Sequence, residues 1–339
     1  ADMARPDDAA LVGQKMLESL AVPFDLGGNE AYVTGSIGIA VYPGDGGDAE
    51  TLLKNADMAM YRAKESARNS YCFFTAEMNQ RSVAKVQLNA DLRHALERDE
   101  FALHYQPKLD LATGELRGLE ALLRWNHPSR GLVSPAEFIP ALEDSGLIVP
   151  VGEWVVEQAC RQLRLWTAAG LAPLPVAVNL SPKQFRRRDL DALIRNALVR
   201  SGISAEFLEL EITESCLMDN PEDAVRAMHN LRAAGLRISI DDFGTGYSSL
   251  SYLTRLPLSA LKIDRSFVRD SGTSAESASI VRAIIDMAQN LHLTVIAEGV
   301  ETEEQAAFLR REGCHQAQGF LYSRPLPAAE IAARLAPAG

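Results

Sequence analysis

The 339 residues carry a formal net charge of −11, 47% hydrophobic residues and a mean hydropathy near zero, which fits one large domain with its own core plus a smaller piece. The acidic balance excludes a general binder of DNA or RNA duplexes, which needs a basic face. No apolar run reaches bilayer-spanning length, so no membrane segment is expected in this chain, and nothing at the N-terminus reads as a signal peptide.

In chain order, residues 7–20 (DDAALVGQKMLESL) place apolar positions at helical spacing behind an acidic start. EAYVTGSIGIAVYP reads as a strand closed by a PGDGGD turn, 49–66 as a helix and 71–74 as a short strand. Gly27-Gly28-Asn29-Glu30 reads as a hairpin turn before a strand. A charged helix over about 77–98 reads as a connector. The four cysteines (Cys72, Cys160, Cys216 and Cys314) form no CxxC pair, so reduced thiols and a cytoplasmic setting are expected. The chain starts with Ala rather than Met, and a longer parent protein, membrane-tethered or not, is the expectation.

From Phe101 the rhythm changes to strand-then-helix units. The strand candidates are FALHYQP, GELRGLEALLRW, LPVAVNLS, FLELEIT, LRISIDD, ALKID, LTVIAEGV and a short QAQGF. Amphipathic helices such as VGEWVVEQACRQLRLWTAAG, PEDAVRAMHNLRAAG and SASIVRAIIDMAQNLH lie between most of them. Eight strands alternating with helices over about 250 residues predict an α/β fold, a TIM-like (β/α)8 barrel. A doubly wound sheet competes, but no Gly-rich phosphate fingerprint follows an early strand.

Alternate side chains of a strand share a face. Glu120, Leu122 and Arg124 therefore oppose Leu119, Ala121, Leu123 and Trp125. Asn179 opposes Val178 and Leu180, Glu209 and Glu211 oppose Leu208, Leu210 and Ile212, and Lys262 opposes Leu261 and Ile263. The apolar sets can pack under helices, leaving the polar sets for the barrel axis, at whose strand C-termini barrel active sites are built. Asp241 and Asp242 are adjacent, so both can serve one site only if the strand bends there; Phe243-Gly244-Thr245-Gly246 supplies a flexible turn. Alone, any such acid is more often a surface or cap charge. Five together would repel by roughly 4 kcal/mol per pair at about 4 Å and an effective dielectric of about 20. Protonation would relieve this, but hard oxygen ligands plus one Asn suit Mg2+ or Mn2+ better. The basic run Arg186-Arg187-Arg188 reads as a solvated face.

These strings in order (YQP, EALLRW, FIPALEDSGLI, VNLS, ELEITES, DDFGTGYSSLSYL, LKID, AEGVE, QGF) resemble the EAL-domain family of cyclic di-GMP phosphodiesterases. The likeness covers about 88–327, within a barrel placed at 88–335 behind a connecting helix at 76–98. It implies two Mg2+ or Mn2+ ions, one held by Glu120, Asn179, Glu211 and Asp241, the other by Asp241, Asp242 and Glu298. It implies in-line attack of an activated water on cyclic di-GMP to give linear pGpG, with Glu298, Lys262 and Glu120 as catalytic residues. Gln106, Leu122, Arg124, Asn179, Glu301 and Gln318 are implied as substrate-side residues. A regulatory loop of Asp242, Phe243, Gly244, Thr245, Gly246, Tyr247, Ser248 and Ser249, anchored by Glu214, and a homodimer through the barrel near it are implied as well. Glu214 also reads as an acid at a helix N-terminus.

Residues 7–74 resemble the C-terminal half of a GGDEF (diguanylate cyclase) domain through VTGSIGIAVYP and LLKNADMAMYRAKESARNSYCFF. The GG(D/E)EF hairpin is absent, so residues 1–75 are expected to be a remnant without cyclase activity. The competing reading is a non-catalytic cyclic di-GMP receptor, which would be expected to lose metal ligands, the lysine or the loop; this chain keeps all of them. Proton abstraction beside a carbonyl is a third barrel chemistry, opposed by the motif set. Histidine-based chemistry is disfavoured, because the six histidines show no HD pair or HExxH spacing; His104 and His127 are read as strand and turn residues.

Overall fold

The computed structural model describes residues 7–335 apart from 29, 67–68, 173, 218–219 and 246–252. The chain divides into two compact units, one up to Ala90 and one from Asp91. In the first, α1 (Asp7–Leu20) and α2 (Ala49–Ser66) occupy the stretches whose apolar spacing predicts them. Strands β1 (Ser36–Ile39) and β2 (Ser70–Phe73) pair in parallel, Ser36 with Ser70 through Ile39 with Phe73. The strand expected over 30–43 is thus shorter, because β2 offers only four residues of partner backbone. Phe24–Asp25 and Glu30–Ala31 pair antiparallel on either side of Gly27 and Gly28, both at positive φ, so this glycine pair makes a hairpin turn. Ala59, Phe74 and Met78 form a small core. Helix α3 covers Ala76–Ala95.

The second unit is a closed barrel. Its eight strands are β3 (Phe101–Asp110), β4 (Leu116–His127), β5 (Val176–Leu180), β6 (Leu208–Thr213), β7 (Arg237–Phe243), β8 (Ala260–Ile263), β9 (Thr294–Ala297) and β10 (Gln316–Ala317). Neighbours in this order are hydrogen-bonded, and β10 returns to β3. From β4 to β10 the pairing is parallel. Strand β3 runs antiparallel to both of its neighbours, β4 and β10. A tight turn containing Gly114 at φ 75° makes β3 and β4 a hairpin, where a helical crossover would be needed for parallel strands. The barrel is therefore TIM-like, with its first strand reversed.

The apolar face of β6 lies as the alternation predicts: Leu208, Leu210 and Ile212 are at most 1% exposed. Helix α4 spans Pro135–Ser145, and α5 (Ile148–Ala168) buries Val151, Val155, Val156, Ala159 and Leu163. Outside the barrel, α6 (Leu190–Ser201), α7 (Pro221–Ala233), α8 (Ala275–Asn290) and α9 (Glu303–Arg311) follow β5, β6, β8 and β9. Thr302 and Gln305 start α9 with reciprocal side-chain caps. His127, expected in a turn, is instead the last residue of β4 and holds the turn that follows: its Nδ1 accepts from the amides of Ser129 and Arg130 at 3.2 Å.

The loop after β9 packs closely on the turn after β10. A Cβ on Gly319 would fall 2.0 Å from Val300 O and 2.3 Å from Val300 N. Those backbone atoms are engaged, since Val300 N donates to Gln318 O and Leu321 N donates to Val300 O. Gly319→Ala is expected to cost roughly 1–3 kcal/mol, the usual penalty of overpacking, read from urea unfolding. An unchanged midpoint would show that the Val300 backbone yields instead.

Candidate active site

Lys262 organises the site. Its strand neighbours Leu261 and Ile263 point outward and are fully buried, so Lys262 projects into the barrel, itself 0% exposed. Its Nζ lies 2.5 Å from Glu298 Oε1, 2.7 Å from Glu211 Oε2, 3.1 Å from Asp241 Oδ1 and 3.8 Å from Glu120 Oε2. One ammonium thus gathers acids carried on or next to β4, β6, β7 and β9.

The bend required for Asp241 and Asp242 to share a site is present. The β7–β8 register shifts between Ile240 and Phe243, and Asp242 has a φ of 52°, a conformation that non-glycine residues seldom adopt. Asp242 N donates to Asp241 Oδ1 at 3.0 Å. Asp241, Asp242 and Glu298 bring carboxylate oxygens within 4.8 Å of one another, as do Glu120, Glu211 and Asp241. Asp241 belongs to both groups.

The Glu120 carboxylate is held from two sides. Asn179 Nδ2 donates to Oε1 at 2.7 Å and Gln318 Nε2 to Oε2 at 2.5 Å. Gln318 Nε2 also donates to Gln106 Oε1 at 2.9 Å, and Gln106 Nε2 donates to Ser323 O. Gln106 and Gln318 are both buried, whereas Asn179 is exposed at the mouth. Beside the cluster a groove of about 480 Å³ is lined by Leu122, Arg124, Ile139, Val151, Asn179, Asp241 and Asp242 among others, a size suited to a small-molecule ligand. Arg124 is half-buried there, Nη1 donating to Leu123 O.

Glu301 stands apart from these contacts. It is exposed, and its amide donates to Gln305 Oε1. Glu214 is buried in the short 3-10 turn Glu214–Leu217 after β6. Of the expected regulatory loop, Asp242, Phe243, Gly244 and Thr245 are described, with Thr245 Oγ1 donating to Asp242 O; Gly246, Tyr247, Ser248 and Ser249 lie outside the described residues.

One participant escaped the sequence reading. Lys108 on β3 is buried, with Nζ 2.7 Å from Glu211 Oε1 and 3.5 Å from Glu209 Oε1. The signal was available: Lys108 shares the strand face of Gln106, which the alternation turns toward the barrel axis.

The electrostatics show the strain of this assembly. Burial, with Glu211 next, pushes Glu120 up to about 7. Burial, with Asp241 and Asp264 next, pushes Asp242 up to about 6. Burial also drives Glu298 well above the carboxylate range; Lys262 at 2.5 Å does not prevent this, because its charge is divided among four acids. Burial opposes ionisation of Glu211 too, but Lys108 and Lys262, one on each oxygen, hold it at about 2. Two lysines do not balance Glu120, Glu211, Asp241, Asp242 and Glu298. A divalent cation with a preference for hard oxygen donors fits this donor set.

With this geometry in view, the relatives are informative. The EAL domain family matches residues 89–325, and the diguanylate cyclase, GGDEF domain family matches residues 2–70. The chain belongs to the EAL domain family and carries a GGDEF fragment at its N-terminal side. It is 48% identical over 331 residues to the bifunctional diguanylate cyclase/cyclic di-GMP phosphodiesterase MucR of Pseudomonas aeruginosa, covering 98% of this chain and 48% of that protein. It is 44% identical over 317 residues to the cyclic di-GMP phosphodiesterase PdeR of Escherichia coli K12, covering 94% of this chain and 48% of that protein. The chain spans about half the length of these curated relatives. A solved PaMucR phosphodiesterase in complex with c-di-GMP superposes with a TM-score of 0.71 at 51% identity, covering 72% of this chain and 99% of that one. EAL phosphodiesterases depend on a metal, and the carboxylate cluster is able to bind one. No helix among the described residues is long and apolar enough to cross a membrane.

Proposed function

We propose that this chain hydrolyses one phosphodiester of cyclic di-GMP to linear 5′-pGpG. The observation that carries the reading is the pair of carboxylate groups sharing Asp241 around buried Lys262, opening beside the groove of Leu122 and Arg124. In this reading Glu120, Asn179, Glu211 and Asp241 hold one Mg2+ or Mn2+, and Asp241, Asp242 and Glu298 hold a second. Such ions supply Lewis-acid stabilisation of phosphoryl charge and lower the pKa of water. The remaining work falls to side chains of this chain. Arg124 offers a forked donor to a phosphate, Leu122 lines the groove beside it, and Gln106 and Glu301 serve as further substrate-side residues in the same reading. Asn179 and Gln318 keep Glu120 oriented. Glu298, ionised when the site holds its cations, would take the proton of the attacking water as a bond forms to phosphorus and the P–O3′ bond breaks; the departing 3′ oxygen takes a proton from solvent, and Lys262 offsets the developing negative charge. Residues 242–249 would act as the regulatory loop of a homodimer in the same reading, with Glu214 as its anchor.

Incubation with cyclic di-GMP and Mg2+ or Mn2+, resolved by chromatography, tests it. Wild type is expected to release pGpG, and Glu120→Ala to lose more than the roughly 10–100-fold that removal of an outer-shell partner costs. Intact cyclic di-GMP despite measurable binding would reject the hydrolase reading in favour of a receptor.

A further inference from the structure

Below the carboxylate cluster lies a lysine that the reaction above does not use. Lys108 leaves β3 opposite Gly118 of β4, where a Cβ would lie 3.9 Å from Lys108 Cδ and 3.1 Å from Pro175 O. The tight neighbour of such a Cβ would be the Pro175 carbonyl, while Lys108 passes it at ordinary contact distance and runs on into the barrel. Its Nζ ends 2.7 Å from Glu211 Oε1 and 3.5 Å from Glu209 Oε1. Glu209 Oε1 is itself fixed by Ser239 Oγ at 2.8 Å. Lys108, Glu209, Glu211 and Ser239 are all buried. The second oxygen of Glu211, Oε2, faces Lys262 at 2.7 Å.

We propose that Lys108 is a positioning residue for metal binding. By occupying Glu211 Oε1 from below, it fixes the carboxylate plane and leaves Oε2 as the single oxygen presented toward Glu120 and Asp241. Glu209 and Ser239 form the base that holds Lys108 in place. This inference rests on the reading of Glu211 as a metal ligand. A lysine acting only as a counter-charge makes the opposite prediction, because removing positive charge beside a cation site tightens cation binding. Loss of an outer partner that orients a ligand weakens metal affinity roughly 10–100-fold.

The test is calorimetric titration of the whole chain with Mn2+ alone, comparing wild type with Lys108→Met, alongside the Mn2+ dependence of turnover. The expected result is a Mn2+ Kd raised roughly 10–100-fold, with kcat falling less than affinity and excess Mn2+ recovering turnover. Because Lys108→Met strands buried carboxylates, Lys108→Met/Glu209→Gln serves as a second variant, for which the same weakening is expected. Unchanged or tighter Mn2+ binding in the folded variants would overturn the proposal. Loss of fold in both would place the role of Lys108 in stability and overturn it equally. Absence of Mn2+ binding by wild type would instead reject Glu211 as a ligand.

Discussion

Lys262→Met is expected to destabilise the metal-free protein by about 3–5 kcal/mol, the usual result of removing one partner from a buried ion pair. Lys262 is wholly buried and is the common neighbour of Glu120, Glu211, Asp241 and Glu298. Methionine fills similar space but offers these acids neither charge nor donor. Urea unfolding in the presence of a chelator measures the loss. The same experiment with saturating Mn2+ carries the sharper information. Cation binding to the folded state alone stabilises it by mass action, and the gain should be larger where the ammonium is missing. The gap between variant and wild type therefore narrows with Mn2+. A gap indifferent to Mn2+ would count against a cation in this cluster, and no gap at all would show that the acids relax by taking up protons.

Asp241→Asn separates activity from stability. Asp241 alone among the acids belongs to both carboxylate groups, so losing its charge weakens both ion positions at once. Turnover is expected to fall well beyond the roughly 10–100-fold attached to outer partners. Stability without metal should hold or rise. An asparagine oxygen can still accept from Lys262, at 3.1 Å in the wild type, and from the Asp242 amide at 3.0 Å. Removing one like charge relieves repulsion on the scale of roughly 4 kcal/mol per pair at about 4 Å in an effective dielectric of about 20. Activity assays and thermal melts on one preparation decide the matter. A variant both inactive and strongly destabilised would mean that Asp241 holds the fold rather than the ions.

How much of this was legible depends on what a strand pattern encodes. Alternation reports faces, so Glu211 against Leu210 and Ile212, and Lys262 against Leu261 and Ile263, could be assigned from residue order alone. The bend at Asp241-Asp242 was a requirement of that alternation, and the register shift at β7 meets it. Alternation is blind to strand direction, so the reversal of β3 was missed; the short connection closed by Gly114 was the clue. Lys108 was overlooked because a lone lysine in a strand resembles an edge charge. Its meaning depends on Glu209 and Glu211, about a hundred residues away.

The reversed first strand also orders events during synthesis. Strand β3 finds β4 within a hairpin, but its other edge waits for Gln316–Ala317 and then Leu326–Pro327, roughly 200 residues later. At about 5–20 residues per second, that edge emerges on the order of 10–40 s before its partner exists. Every acid of the cluster has been made by Glu298, yet the ring that brings them together is sealed by residues translated afterwards. A nascent chain therefore holds all its carboxylates before it holds a site, and the seam at β3 is where premature pairing with another chain would begin.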